Sequence, residues 1–240
     1  MKAIFWRLVN ALQALYLVFW TSAWILAALS VRLVTGHSRR PLMMAHYWAR
    51  SLFWAGKLEI EVRGRENLDL KAASFYACNH QSMMDIPLMY SVLPVPLIFI
   101  LKEELGRIPI LGWYVRAMGM ILVPRREKLR SVKNLELCRQ RMKEGANILM
   151  FPEGTRSQDG SILPFKPGVF VPVLDLQARV VPVRIEGSGE VLPPGGFRVR
   201  PGKLRVTFGE AISTAGLSRD DRRELAERVR ERIARLGAGH

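Results

Sequence analysis

Residues 79–85 read Asn-His-Gln-Ser-Met-Met-Asp and hold the side chains best suited to acid–base chemistry. An imidazole titrates near neutral pH, and a carboxylate beside it can hold its tautomer and stabilise its charged form. His80 and Asp85 would not share a face of a straight helix. They follow an apolar strand-like run and precede a helix, so a turn at this junction would bring them together. We predict a His-Asp pair for general-base catalysis; the alternative is a buried structural histidine and a helix-capping aspartate, and Ser82 is a second capping candidate.

A second polar cluster follows another apolar run. Residues 151–157 read Phe-Pro-Glu-Gly-Thr-Arg-Ser. Arg156 and Arg125 have the forked donors that grip a phosphate, and Lys102 could add a point charge. Gly154 would let the backbone approach such a phosphate closely. The alternative for each cation alone is a solvated surface charge, which is common in so basic a chain.

Strands and helices alternate along residues 58–240, which predicts an α/β fold with a mostly parallel sheet flanked by helices. The predicted strands are 58–62, 74–78, 97–101, 120–123, 148–150, 180–185 and 203–208. The predicted helices are 86–93, a short helix to which residues 107–113 lead, 129–142, 169–176 and a last helix that begins after residue 218. The carboxyl ends of parallel strands share one edge of a sheet. We therefore expect His80, Lys102, Arg125 and the loop at Glu153 to gather along that edge.

The first 57 residues predict a membrane-associated pair of helices, separate from the α/β domain at 58–240. Residues 8–31 contain no charged residue and are nearly long enough to cross a bilayer. Residues 41–58 are amphipathic and rich in aromatic side chains, which is typical of a helix in the headgroup layer. Basic residues flank the first helix on both sides, so two arrangements stay open. The first helix spans the membrane, or the pair forms a hairpin that dips into one leaflet, which we favour.

The charge balance indicates a polyanionic partner, either an anionic membrane surface or nucleic acid. Lysine and arginine number 36 against 21 acidic residues, a net charge of +15. The two cysteines, Cys78 and Cys138, lie in apolar segments and are expected to be reduced, as in a cytoplasmic domain. Neither they nor the scattered histidines have a metal-ligand spacing. The chain also lacks a Walker-type loop and a dinucleotide fingerprint.

Both polar clusters resemble signature blocks of the glycerolipid acyltransferases, and the closest resemblance is to the bacterial 1-acyl-sn-glycerol-3-phosphate acyltransferases. Residues 79–85 match the pattern Asn-His-x-Ser-x-x-Asp of the first block, and residues 151–157 match the third. Between them stands Lys102-x-x-Leu105-Gly106-x-Ile108-Pro109-x-x-Gly112-Trp113, in the expected order. Residues 165–168 and 181–183 resemble the blocks that follow, so the similarity covers roughly residues 58–208.

The resemblance implies a reaction and a set of site residues. His80 would deprotonate the sn-2 hydroxyl of 1-acyl-sn-glycerol-3-phosphate, oriented by Asp85, and the product would be phosphatidic acid. Acyl-CoA or acyl carrier protein would be the co-substrate, without a metal, a further cofactor or an acyl-enzyme. Asn79 is a candidate donor to the oxyanion. The acceptor site would comprise Lys102, Arg125, Glu153, Gly154, Thr155 and Arg156.

Two other interpretations stay open. Pro124 stands where the family's second block usually has an acidic residue, so the acceptor could be a lyso-ornithine lipid or another lysophospholipid. The chain could instead be a basic membrane-surface or nucleic-acid-binding protein that keeps only the fold. Nucleic acid is disfavoured by the membrane-seeking helices and by the lack of a recognisable binding motif. The resemblance implies the cell inner membrane, with the catalytic domain on its cytoplasmic side.

Overall fold

The computed structural model describes residues 2–124, 132–196 and 198–237 of the chain. The strands are β1 (Glu59–Arg63), β2 (Phe75–Cys78), β3 (Leu97–Lys102), β4 (Ile121–Val123), β5 (Asn147–Met150), β6 (Val180–Glu186) and β7 (Lys203–Phe208). The helices are α1 (Lys2–Thr35), α2 (Arg39–Ala55), α3 (Asp85–Val92), α4 (Leu111–Ala117), α5 (Val132–Lys143), α6 (Val171–Asp175), α7 (Ser188–Val191) and α8 (Arg222–Leu236). Short 3₁₀ turns cover Arg65–Asn67, Glu103–Arg107, Pro167–Phe170 and Arg219–Asp221.

The strands form one seven-stranded sheet in the order β1-β7-β6-β2-β5-β3-β4. The pairing of β6 with β7 is antiparallel, and every other pair is parallel. The mostly parallel α/β fold predicted from the sequence is therefore confirmed. Strand β7 runs antiparallel to β6 and parallel to β1, which forms the edge of the sheet.

The middle of the sheet is buried on both faces, as a parallel sheet under helices must be. All residues of β2 and β5 are buried, which explains why both appear in the sequence as short unbroken apolar runs. The strands β2, β5, β3 and β4 are neighbours and run in one direction, so their carboxyl ends meet at one edge. Adjacent strands lie about 4.8 Å apart, so β3 is roughly 10 Å from β2. This edge collects the polar residues singled out above.

The first two helices form an antiparallel hairpin. Trp20 of α1 donates from Nε1 to Ser51 Oγ at 2.9 Å, and Trp48 of α2 donates from Nε1 to Thr21 Oγ1 at 3.3 Å. The stretch from Ala11 to Thr35 is long and apolar enough to cross a membrane by length and composition. It exposes several large apolar side chains, which a core helix of a soluble domain would bury.

The hairpin is joined to the α/β domain through contacts between α2 and α3. Leu42, Ala49 and Phe53 of α2 are buried in the same hydrophobic cluster as the sheet. His46 of α2 lies with Nδ1 2.9 Å from the carbonyl oxygen of Tyr90 in α3. The catalytic domain therefore rests directly on the amphipathic helix of the hairpin. The division of the chain at residue 57 stays a prediction.

Asn79 has a structural place that differs from its expected role as an oxyanion donor. The residue is completely buried, and its Nδ2 donates to the carbonyl oxygen of Ile185 at 2.9 Å. Its Oδ1 accepts the backbone N–H of Ile185 at 2.7 Å. The side chain thus extends the pairing of β2 with β6 past the end of β2. Because both polar atoms of the amide bind the backbone of Ile185, the side chain stabilises the fold and does not contact a substrate.

Replacing Asn79 should destabilise the fold. Asn79→Ala would leave both backbone polar groups of Ile185 buried without partners, at a cost of about 2–4 kcal/mol. Chemical denaturation in detergent micelles, followed by circular dichroism, would measure this loss. The exposed Gln158→Ala is the control and should stay within about 0.5 kcal/mol of wild type. A loss below that limit for Asn79→Ala would contradict the structural role.

Candidate active site

His80 and Asp85 meet at the carboxyl end of β2. The Nδ1 atom of His80 lies 2.7 Å from Asp85 Oδ2. The aspartate is completely buried, whereas 17% of the histidine side chain is exposed. A carboxylate can only accept, so Nδ1 carries the proton and donates it, and Nε2 has the free lone pair. The turn expected from the sequence therefore brings the pair together in the geometry of a general base.

The chain reaches this geometry by turning around the carboxylate of Asp85. The same Oδ2 accepts the backbone N–H of Gln81 at 2.8 Å and of Ser82 at 2.9 Å. Asp85 is the first residue of α3 and not its cap, so the N-terminal end of the helix dipole also faces the carboxylate. One buried oxygen thus holds the histidine ring and shapes the loop that carries it.

Ser82 is also structural. Its hydroxyl donates to the carbonyl oxygen of Leu192 at 2.6 Å and accepts the N–H of Met84 at 3.1 Å, and the residue is completely buried. The hydroxyl caps the turn before α3 and is not placed as a nucleophile.

The loop after β5 encloses His80 on several sides. The ring of Phe151 stacks on the imidazole with centroids 4.0 Å apart and planes 18° apart. Glu153 Oε1 accepts the backbone N–H of His80 at 3.1 Å. The backbone N–H of Ser157 donates to the carbonyl oxygen of His80 at 2.8 Å. Residues 154–156 therefore form an arch, which we call the basic arch, whose two ends are fixed to the backbone of one residue.

Glu153 points inward, which differs from its expected place among the ligands of a phosphate. Only 2% of the residue is exposed. Burial raises the pKa of Glu153 from 4.5 to about 7, although the backbone N–H groups of His80 and Leu163 act in the opposite direction. This carboxyl group positions His80, since its Oε1 is bound to the backbone of that residue.

The expected cations that the structure describes, Arg156 and Lys102, lie at the same edge with different exposures. Arg156 is half-buried on the basic arch, and Thr155 beside it is exposed. Gly154 has a φ of 68°, a left-handed conformation that favours glycine. Lys102 is exposed at the carboxyl end of β3. Arg125 lies outside the described residues.

Three further residues lie at the site although local sequence patterns did not assign them to it. Phe151 is the first residue of the second cluster and was given no role, yet it provides the surface on which the imidazole rests. Gln81 is nearly buried and donates from Nε2 to the carbonyl oxygen of Gly160 at 3.1 Å. Lys166 comes from a later segment and lies against Gly154. All three stand within the blocks at 79–85, 151–157 and 165–168, but no local pattern indicated the contacts that each would make.

The described ranges contain no group of three or more His, Cys, Asp or Glu side chains arranged to hold a metal ion. The two buried carboxyl groups near His80, those of Asp85 and Glu153, both accept backbone N–H groups of residues 80–82.

An apolar cavity lies between the hairpin and the α/β domain. Its empty volume is about 750 Å³, part of which is open to solvent, and its walls come from α1, α2, α3, β3 and α4. Phe99 lines the cavity and lies 6.5 Å from Phe151, centroid to centroid. Phe151 in turn stacks on His80. The cavity is therefore connected to the His80–Asp85 pair through two aromatic rings.

The pKa of Glu153 predicts a pH-dependent stability. In the unfolded chain the group titrates near 4.5, and in the folded chain near 7. Between these values the folded protein keeps a proton that the unfolded chain has lost, so this group lowers the free energy of unfolding as pH rises. Glu153→Gln keeps an acceptor for His80 but cannot ionise. Its free energy of unfolding should increase relative to wild type as pH rises from about 4.5 to about 7.

Denaturation curves of wild type, Glu153→Gln and Glu153→Ala across this pH range would test the prediction. The alanine variant loses the acceptor and should be less stable than the glutamine variant at every pH. A constant difference between wild type and Glu153→Gln would show that Glu153 does not titrate in this window.

Comparisons with known proteins agree with the fold and the site. Residues 59–186 match the family model described as Acyltransferase. The chloroplastic 1-acyl-sn-glycerol-3-phosphate acyltransferase BAT2 of Brassica napus is 33% identical over 215 residues, which cover 83% of this chain and 62% of that protein. The chloroplastic LPAT1 of Arabidopsis thaliana is 36% identical, and the match covers 70% of this chain and 48% of that protein. The chain thus spans about half to two-thirds of the length of these relatives.

A solved structure is similar over nearly its whole length. The crystal structure of the 1-acyl-sn-glycerophosphate acyltransferase PlsC from Thermotoga maritima aligns with a TM-score of 0.77 and 28% identity, covering 98% of each chain. The α/β sheet, the N-terminal helices and the matched segment 59–186 point to the same conclusion. The chain belongs to the acyltransferase family.

Proposed function

We propose that this protein transfers a fatty acyl group from acyl-CoA or acyl carrier protein to the sn-2 hydroxyl of 1-acyl-sn-glycerol-3-phosphate, which yields phosphatidic acid. The observation that carries the proposal is the contact of 2.7 Å between His80 Nδ1 and Asp85 Oδ2, beneath the basic arch. The names of the relatives in Brassica napus and Arabidopsis thaliana support the same acceptor.

His80 acts as the general base. Its Nε2 takes the proton of the sn-2 hydroxyl as that oxygen attacks the thioester carbonyl. The tetrahedral oxyanion collapses, the C–S bond breaks, and the thiolate takes the proton back from the imidazolium. Asp85 keeps the proton on Nδ1 and stabilises the imidazolium, which contributes to a rate gain of typically 10²–10⁴-fold. The step needs no oxidant and no covalent acyl-enzyme.

The acceptor phosphate lies against the basic arch. Arg156 provides forked donors, and Gly154 and Thr155 provide backbone that can approach the phosphate closely. Arg125 and Lys102 would add positive charge from the ends of β4 and β3. We give Glu153 the role of positioning His80 and not of binding phosphate. Its carboxyl group is turned inward and accepts a backbone N–H, and it offers no attraction to an anion.

The cavity between the hairpin and the domain is suited to an acyl chain. Its lining is apolar, and each buried methylene contributes about 0.8 kcal/mol to binding. Trp24 and Ile25 of α1 and Met44 of α2 form part of the wall. The acyl chain would then enter from the lipid side, next to the helices that seek the membrane.

The helical hairpin keeps the enzyme at its substrate. We assign it to the cytoplasmic face of the inner membrane, dipping into one leaflet with the catalytic domain above it. Each lysine or arginine near an anionic leaflet adds about 1 kcal/mol of attraction. The net charge of +15 of the whole chain would hold the protein at an anionic surface, and the same positive charge would attract the phosphates of CoA or an acidic carrier protein.

The role of Asp85 can be tested with Asp85→Asn. An amide cannot accept from His80, Gln81 and Ser82 and also satisfy its own N–H₂ in the same buried space. We expect kcat to fall by about 10²–10⁴-fold, with a much smaller change in KM for the acceptor. Asp220→Asn is the control, because that side chain is fully exposed, and its rate should equal wild type. Equal rates for both variants would remove Asp85 from the mechanism.

The acceptor can be tested with purified protein in mixed micelles. Lysophosphatidic acid, lyso-ornithine lipid and lysophosphatidylethanolamine would be offered side by side, with acyl-CoA and acyl carrier protein as donors. We expect preference for lysophosphatidic acid and loss of nearly all transfer in His80→Ala, with the lipid still bound. Preference for another acceptor would leave the general-base mechanism in place but would contradict the proposed substrate. Pro124, which replaces the family's usual acidic residue, would then be the residue to examine for the altered preference. Transfer that persists in His80→Ala would contradict the mechanism itself.

A further inference from the structure

Lys166 lies on the basic arch although it is distant in sequence from the two polar clusters. A Cβ atom built on Gly154 would clash with Lys166 Nζ and come within 3.1 Å of its Cε. The lysine side chain therefore occupies the space that any other residue at position 154 would need. Two constraints therefore favour glycine at position 154: the space that Lys166 occupies, and the left-handed φ of 68°.

The backbone of Lys166 is fixed beside the arch. Its N–H donates to the carbonyl oxygen of Pro152 at 3.0 Å. Phe165 before it is buried, and Pro167 after it begins a 3₁₀ turn. The side chain therefore extends from a backbone that is held in place, and it packs over Gly154. The residue as a whole is exposed to solvent.

The ammonium group has no acidic partner within 4 Å among the residues that the structure describes. Several other surface cations of the chain do have such a partner, among them Arg179 with Asp69 at 2.8 Å and Arg219 with Asp175 at 2.6 Å. Residues 160–174 contain no acidic residue, and Lys166 is their only charge. An unpaired cation held over a backbone that can approach a ligand is suited to an anion.

The position of this cation relative to His80 limits which anion it meets. Gly154 stands between Glu153 and Ser157, and both of these contact the backbone of His80. In the acceptor only a few bonds separate the sn-2 hydroxyl from the phosphate. An acceptor whose hydroxyl reaches Nε2 must therefore place its phosphate close to the arch.

We infer that Lys166 binds the phosphate of the lyso-lipid acceptor, together with Arg156. The inference rests on the proposed function and adds a residue to its acceptor site. A lysine contributes a compact point charge and an arginine a planar fork, so the two can hold different oxygens of one phosphate. Gly154 is needed in part because a side chain at this position would displace the lysine from the arch.

The test compares Lys166→Met, Lys166→Arg and the control Lys71→Met in mixed micelles. Lys71 is an exposed lysine in the turn before β2, at the opposite edge of the sheet, and it gives the same change in net charge. We expect Lys166→Met to raise KM for lysophosphatidic acid between about 10-fold and 100-fold, with a smaller change in kcat and none in KM for the acyl donor. Lys166→Arg should recover some of the affinity, and Lys71→Met should match wild type.

A binding measurement separates affinity from turnover. In the His80→Ala background, Lys166→Met should weaken the binding of lysophosphatidic acid by a similar factor, and circular dichroism should show an unchanged fold. An unchanged KM for the acceptor would overturn the inference, and so would a rise confined to KM for the donor, which would place Lys166 at the donor's phosphates. Equal losses in Lys166→Met and Lys71→Met would reduce the effect to general surface charge. A wild-type enzyme that transfers nothing to lysophosphatidic acid would overturn the proposed function as well.

Discussion

The site depends on one buried carboxylate oxygen, Asp85 Oδ2. It accepts the ring N–H of His80 and the backbone N–H groups of Gln81 and Ser82, so it orients the base and shapes its loop at once. A buried carboxylate is costly without such partners. The turn from β2 into α3 provides them, and the parallel sheet fixes where that turn stands.

The polar residues of the second cluster divide into two groups. Glu153 and Ser157 turn toward His80 and hold its backbone from both sides. Residues 154–156 between them are left for a ligand, and Lys166 reaches the first of these from a later segment. In the proposed mechanism, a loop that holds the backbone of His80 and also carries the cations fixes the distance between proton transfer and phosphate binding. Such preorganisation is where much of the rate gain of an enzyme originates.

The features of this site that follow from local patterns could be predicted from the sequence. Alternating strands and helices predicted the parallel sheet, and a polar residue at the end of each apolar run predicted the shared edge. The meeting of His80 with Asp85 followed because a strand-to-helix turn lies between them. The direction of Glu153 and the course of Lys166 could not be predicted, because each depends on contacts across the fold that leave no local pattern. The same holds for Asn79, whose amide would suit an oxyanion equally well until its pairing with Ile185 is seen.

The contact between α2 and α3 couples the N-terminal hairpin to the α/β domain. Leu42, Ala49 and Phe53 share a hydrophobic core with the sheet, and α3 begins with Asp85. A lipid or detergent that loosens the hairpin would therefore also loosen the helix that begins with Asp85. If the hairpin sits in a bilayer as proposed, its release would weaken the chemistry at Asp85 as well as the access to lipid.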